Sequence, residues 1–283
     1  MKHNLKKVLK TDREKHSIIK IGELEIGKDF TLIAGPCAVE SEDQIVEIAK
    51  FAKAYGANIL RGGIYKPRTY PYSFQGVKEK GFRYLATAKK ETGLPVVSEI
   101  VDINDLEKMY PYCDMFQIGT RNAQNYALLK EVGRTEKPVL LKRGFASTIY
   151  EWLGCAEYIL MEGNQNLVLC ERGIRTFENY TRNTMDLSAI SALKTLSHVP
   201  VIADPSHGTG RSELVYPMSM SSIMAGCDGL MLEIHLVPER SVCDANQTIS
   251  LEAFRKLAGD AVKLWKFKQN ELKDLNTEAI TEL

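Results

Sequence analysis

Three observations predict an α/β fold, a (β/α)8 TIM barrel with a short N-terminal β-hairpin extension. First, eight short apolar runs recur along the chain: FTLIAGPC (30–37), ANILRGG (57–63), PVVSEI (95–100), MFQIG (115–119), PVLLKRG (138–144), NLVLCERG (166–173), PVIADPSH (200–207) and GLMLEIH (229–235). Continuous apolar runs of this length suit parallel strands buried on both faces. Second, the segments between them are long enough for crossover helices. Third, no Gly-x-Gly-x-x-Gly follows the first run, which argues against a doubly wound open sheet.

The elements follow in order. Residues 1–29 form a tail and hairpin. "MKHNLKKVLKTDREKH" is too charged for a signal peptide, and its acidic residues argue against a transit peptide. "SIIKIGELEIGKDF" alternates apolar and polar residues around Gly22, which predicts a hairpin closing the barrel floor. Residues 30–267 form the (β/α)8 barrel. "SEDQIVEIAKFAKAYG" opens on Ser41, carries Glu42 and Asp43 in its first turn and ends at Gly56, the signature of a capped helix. "MDLSAISALKTLSH" and "SLEAFRKLAGDAVKLWKF" read similarly, whereas 215–226 is a weaker helix because of Pro217 and its serines. Residues 268–283 are polar, read as a loosely held helix or tail. No linker or internal repeat interrupts the strand–helix alternation.

Composition narrows the function. Lys+Arg 37 against Asp+Glu 36 leaves +1 on 283 residues, so nothing global calls for nucleic acid or a membrane surface. No apolar run approaches the ~20 residues of a membrane span. Six cysteines show no Cys-x-x-Cys and no framework spacing, so reduced thiols and a cytoplasmic location are expected.

The C-terminal ends of barrel strands build the active site, and here they are chemically loaded. In turn they present Cys37, Arg61, Glu99, Thr120 with Arg121, Lys142 with Arg143, Glu171 with Arg172, Asp204 with His207, and Glu233 with His235. Cys37, His207, Glu233 and Asp244 (in the loop after the last strand) make one grouping, a site for a divalent cation. Its mixed soft and hard donors admit Mn, Fe, Co or Zn. The competing reading has Cys37 as a packed apolar side chain and His207 as a cap. Arg61, Lys66, Arg68, Arg121, Lys142 and Arg172 make the second, with Arg143 and Arg175 as further candidates, and suit a multiply anionic ligand. Ordinary ion pairs with Glu99 or Glu171 would account for one or two of these. The glycines of "GGIY" are read as letting the backbone pass close to a ligand. With no phosphate-binding P-loop and no Gly-x-Ser-x-Gly elbow, a metal beside anion-binding cations points to carbon–carbon chemistry on phosphorylated metabolites.

"AGPCAVES", "LRGGIYKPRTYPYSFQG", "QIGTRNAQN", "LLKRG", "LCERGIRTFE", "DPSHGTGR" and "LEIH…CDANQ" together resemble the 3-deoxy-D-arabino-heptulosonate 7-phosphate (DAHP) synthases, in the type I-beta branch related to the octulosonate-phosphate synthases. The resemblance runs from about residue 18 to 267. It implies condensation of phosphoenolpyruvate with erythrose 4-phosphate and water to give DAHP and phosphate, the first step of the shikimate pathway. It also implies Cys37, His207, Glu233 and Asp244 as metal ligands. Arg61, Lys66, Arg121, Lys142 and Arg172, with the Thr120 amide, Glu99 and Asp204 nearby, would hold phosphoenolpyruvate, and Arg68 and Thr69 the erythrose phosphate. Catalytic roles fall to Cys37, His207 and Lys66. Lys66 is read as the acid that protonates the forming alkoxide, with metal-bound water as its rival, and its cationic surroundings predict a depressed pKa.

Arabinose 5-phosphate, the octulosonate substrate, is the alternative, but "KPRT" stands where those enzymes carry an Asn-Arg-Ser type segment. A non-catalytic sugar-phosphate or protein-binding barrel is the alternative of another class. A metal-independent variant would need Asn in place of Cys37. Relatives form homotetramers in many cases, so a homo-oligomer is expected. About 29 residues precede the first strand, too few for the regulatory domains that relatives carry, which leaves a separate chorismate mutase as a partner. Cys243, beside Asp244, is expected to pair with Cys37 on oxidation and eject the metal.

Overall fold

The computed structural model describes residues 4–11 and 16–272. Strands β1 (Ile19–Ile21) and β2 (Leu24–Ile26) form the expected antiparallel hairpin, with Ile19 opposite Ile26 and Gly22 in the turn at φ +60°. A left-handed residue there matches the twist of the two strands. Eight parallel strands follow: β3 (Thr31–Gly35), β4 (Ile59–Arg61), β5 (Val96–Ile100), β6 (Met115–Ile118), β7 (Val139–Lys142), β8 (Leu167–Glu171), β9 (Val201–Ala203) and β10 (Gly229–His235). Each pairs with the next, and β10 pairs with both β9 and β3, which closes the barrel. A short β11 (Ile249–Ser250) extends β10.

Alternation along the strands sorts the core into two layers. Ile33, Ile59, Val97, Met115, Leu140, Val168, Ile202 and Met231 point inward and pack with Ile19, Ile21 and Ile26 of the hairpin. The hairpin is therefore the floor of the barrel. Outward residues such as Leu32, Ala34 and Leu60 pack against the helices.

The helices are α1 (Glu42–Ala54), α2 (Lys80–Thr92), α3 (Leu106–Met109), α4 (Tyr126–Gly133), α5 (Ile149–Met161), α6 (Leu187–Leu196), α7 (Pro205–Thr209), α8 (Ser212–Ala225) and α9 (Leu251–Glu271). Ser41 Oγ accepts from Gln44 N at the start of α1, and Gly56 follows its end at φ +93°. Helix α8 is fuller than its sequence suggested. It begins at Ser212 and runs through Pro217, while Ser219 and Ser222 donate their hydroxyls to the Val215 and Met218 carbonyls. Polar side chains satisfied inside their own helix do not oppose its burial. At the C-terminal end α9 continues to Glu271, within the segment read as a loose helix or tail, and residues 273–283 lie outside the described residues. At the opposite end, the buried Glu157 carboxylate on α5 accepts from the backbone N–H groups of Lys6, Lys7 and Val8, which fixes the N-terminal segment to the barrel.

Ile26→Ala, which empties a fully buried position in the floor, is expected to cost about 3 kcal/mol in urea denaturation. A loss below about 0.5 kcal/mol would mean the hairpin is not part of the core.

Candidate active site

The strand ends converge as the sequence reading requires. Gly35 closes β3 against the Arg61 carbonyl, where a Cβ would stand 2.0 Å from that oxygen, so only glycine lets the first two strand ends approach. Two residues on, the buried Cys37 thiol lies 3.3 Å from Asp244 Oδ2 and 3.2 Å from Cys243 Sγ. His207, on α7 just past β9, sets Nε2 3.2 Å from Glu233 Oε1 and 3.9 Å from Asp244 Oδ2. One donor atom from each of Cys37, His207, Glu233 and Asp244 falls within 4.8 Å of the others.

Three features of this group fit a divalent cation. Glu233 Oε1 is buried and accepts no aligned hydrogen bond. Burial pushes the His207 pKa down, and its Nδ1 lies 2.7 Å from Asp204 Oδ2, so a proton held there would leave the Nε2 lone pair facing the group. The Cys37 thiol is held well above its ordinary value by its hydrogen bond to Cys243, by burial and by Glu233. A cation is what such a thiol needs in order to ionise.

The cations gather beside it. All six predicted residues, Arg61, Lys66, Arg68, Arg121, Lys142 and Arg172, line one cavity of about 230 Å³, together with Thr69, Glu99, Thr120, His207 and Asp244. Two carboxylates behind the wall link this half to the metal group. Arg61 Nη2 lies 3.0 Å from Glu233 Oε1, and Lys142 donates to Asp204 Oδ2 at 2.6 Å. Asp204 does not itself line the cavity. Burial alone would raise its pKa, but His207, Lys142 and Arg61 hold it well below the usual carboxylate range. On the cationic side, Arg61 Nε and Nη1 and Arg172 Nε are buried without partners. Buried donors left open are costly, and here they sit in the wall of a pocket.

Four readings need correction or sharpening. Lys66 does not have a depressed pKa. Burial lowers it, but Cys37, Cys243, Glu99 and Glu233 together outweigh burial and raise it. Its ammonium donates to the Cys37 carbonyl at 3.1 Å and lies 3.2 Å from Cys37 Sγ. Its neighbours are thus acids and thiols rather than cations. Arg143 leaves the cation set: it pairs with Glu171 and Asp186 under Trp152, the ordinary ion pair that was the competing account. The "GGIY" glycines make room for protein rather than ligand, since a Cβ on Gly63 would stand 2.8 Å from the Cys37 carbonyl and 2.9 Å from Lys66 Cδ. Cys37 is not a packing cysteine alone, given its polar contacts.

The sequence reading missed Arg182, Gln117, Phe145 and Gln247. Arg182 donates to Asp244 Oδ1 and Gln247 Oε1, and Gln247 donates to Glu233 Oε2 at 2.7 Å. Gln117, a polar residue inside an apolar run, carried a usable signal. Arg182 and Gln247 sit in loops with no pattern to single them out.

With this geometry in hand, the chain can be compared with known proteins. Residues 10–271 match the DAHP synthetase I family. The chain belongs to this family. It is 49% identical over 249 residues to the phospho-2-dehydro-3-deoxyheptonate aldolase of Thermotoga maritima, covering 88% of this chain and 74% of that protein. A crystal structure of the Thermotoga maritima enzyme (DAHP synthase) superposes with a TM-score of 0.90 at 46% identity, covering 93% of this chain and 77% of the other. A truncated form of the same enzyme gives 0.86 at 45% identity over 92% and 96%. The 2-dehydro-3-deoxyphosphooctonate aldolase of Geobacter sulfurreducens is 28% identical over 254 residues, covering 83% of this chain and 92% of that protein.

The unpaired buried arginine yields a prediction. Arg172→Met is expected to stabilise the ligand-free protein by about 1 kcal/mol, seen as a rise of a few degrees in Tm. If phosphoenolpyruvate raises the Tm of the wild type, the same substitution should abolish that rise. A lower Tm with an intact ligand shift would contradict this account of Arg172.

Proposed function

We propose that the chain is a metal-dependent 3-deoxy-7-phosphoheptulonate synthase, joining phosphoenolpyruvate to D-erythrose 4-phosphate with water to give DAHP and phosphate at the entry to the shikimate pathway. One observation carries this reading: buried, unpaired arginine donors border the same cavity that His207 and Asp244 line, and those two residues belong to a four-residue group able to hold a metal. The 49% identity to the Thermotoga maritima enzyme, against 28% to an octulosonate enzyme, favours erythrose 4-phosphate over arabinose 5-phosphate.

Cys37, His207, Glu233 and Asp244 would hold one divalent ion (Mn, Fe, Co or Zn), which when bound supplies Lewis acidity for the aldehyde. Arg61, Arg121, Lys142 and Arg172 bind the phosphate and carboxylate of phosphoenolpyruvate, with the Thr120 amide and Glu99 beside them. Asp204 acts from behind, fixing Lys142 and His207 in place. Arg68 and Thr69 grip the erythrose phosphate. The methylene carbon of phosphoenolpyruvate then attacks the aldehyde, water adds at the enol carbon, and phosphate leaves by carbon–oxygen cleavage. Lys66, held protonated, donates its proton to the forming alkoxide. Its raised pKa keeps it charged at neutral pH but makes it a weak acid, so the transfer is favourable only to a base as strong as the alkoxide.

No described helix is long and apolar enough to cross a membrane. Six free, buried cysteines support a reducing, cytoplasmic setting. By family resemblance we assign a homo-oligomer, a tetramer, with a separate chorismate mutase as the protein partner. The 3.2 Å contact between Cys37 and Cys243 supports disulfide formation by peroxide in the metal-free protein. Mass spectrometry is expected to find the Cys37–Cys243 bridge. Cys37 sulfinic acid without it would contradict this.

The function is tested by phosphate release from phosphoenolpyruvate, using metal-stripped protein with Mn²⁺ restored. Release with erythrose 4-phosphate alone, abolished by chelator, is the expected result. Release with arabinose 5-phosphate would overturn the roles of Arg68 and Thr69, and no release with either sugar would favour a non-catalytic barrel. Lys66→Met should bind phosphoenolpyruvate and lose at least about a hundredfold in kcat. Near-full kcat would remove Lys66 as the acid.

A further inference from the structure

Phe145 stands in the loop between β7 and α5, three residues beyond Lys142, with its side chain in the wall of the cavity. Three guanidinium groups surround its ring. Arg175 Cζ lies 4.3 Å from the ring centroid, Arg172 Cζ 5.2 Å and Arg121 Cζ 5.5 Å. The backbone anchors the cluster, because Arg175 N donates to the Phe145 carbonyl at 2.7 Å. Among the described residues no carboxylate forms an ion pair with any of the three. Arg121 donates to Thr69 Oγ1 at 3.1 Å, and Arg172 reaches only the Gly173 carbonyl at 3.4 Å while its Nε stays unpaired.

Three cations this close repel one another, and a carboxylate would be the ordinary remedy. A carboxylate, however, takes up the N–H donors that a ligand needs. An aromatic ring attracts guanidinium through its quadrupole and uses none of them as conventional hydrogen-bond donors. The ring therefore relieves repulsion while keeping the donors available.

We propose that Phe145 is a positioning residue of the phosphoenolpyruvate subsite, whose ring gathers Arg121 and Arg172 and leaves their N–H groups free for the ligand's phosphate and carboxylate. The proposal rests on the reading of Arg121 and Arg172 given above. Arg175, exposed and not among the residues lining the cavity, adds a third positive charge to the same field.

The test compares Phe145→Leu and Phe145→Met, which keep apolar bulk but lose the ring, with Phe145→Tyr, which keeps the ring. Steady-state kinetics with both substrates are combined with calorimetric titration of the Mn²⁺-loaded protein by phosphoenolpyruvate. The aliphatic variants should raise the KM and Kd for phosphoenolpyruvate roughly tenfold. Their kcat and their KM for erythrose 4-phosphate should stay within about twofold, and Phe145→Tyr should remain within about twofold of wild type throughout. An unchanged KM for phosphoenolpyruvate in the aliphatic variants would overturn the proposal. So would an equal loss in Phe145→Tyr, or an equal rise in both KM values, which would mark simple loosening of the loop. The two aliphatic variants guard against either one failing to fold. If the wild type binds phosphoenolpyruvate without turning over, the reaction assignment fails and the calorimetric comparison still decides the role of Phe145. If the wild type does not bind phosphoenolpyruvate, both readings fall.

Discussion

Everything at the barrel mouth depends on two buried carboxylates, each shared between opposite needs. Asp204 accepts from Lys142 on one side and holds His207 on the other. Glu233 faces Arg61, His207 and Gln247 at once. Ions removed from water are tolerated only when paired, and breaking such a pair leaves an expensive uncompensated charge. These two acids keep the cationic half of the site and the Cys37, His207 and Asp244 half at fixed distance. They also couple them, since a change on one side alters the field on the other.

The remaining charge is unbalanced, and that imbalance is useful. Arginine donors without partners are a cost to the empty protein, which a dianionic ligand repays on binding. The protein can carry this cost because the rest of the barrel is closed and dry. Inward-facing aliphatic residues fill the bore, and Ile19, Ile21 and Ile26 of the hairpin seal its floor. Stability is thus concentrated at the bottom and chemistry at the top, the division that a parallel barrel imposes.

Much of this was legible in the chain itself. Eight apolar runs match eight strands because buried parallel strands need no polar alternation. The polar residues that end those runs were visible for the same reason: nothing else in the pattern explains Arg61 after "NIL" or Glu233 inside "LMLEIH". What the sequence hid was direction. Arg143 and Lys142 are neighbours, yet successive residues of a strand end point to opposite sides, so one enters the cavity and the other pairs with Glu171. The sign of the Lys66 shift was hidden too, because it depends on the Cys37 loop folding over its ammonium. Arg182 and Phe145 lie in loops, where spacing carries no information about what a side chain meets.

The central claim is that Cys37 is a metal ligand directly behind the cavity lined by the cations, in contact with Lys66. The electronic absorption spectrum of Co²⁺-loaded protein tests it most directly. A thiolate-to-cobalt charge-transfer band is expected in the near ultraviolet, present in the wild type and in Cys243→Ser and absent in Cys37→Ala. A wild type without that band, or a Cys37→Ala variant that retains it, would contradict the account.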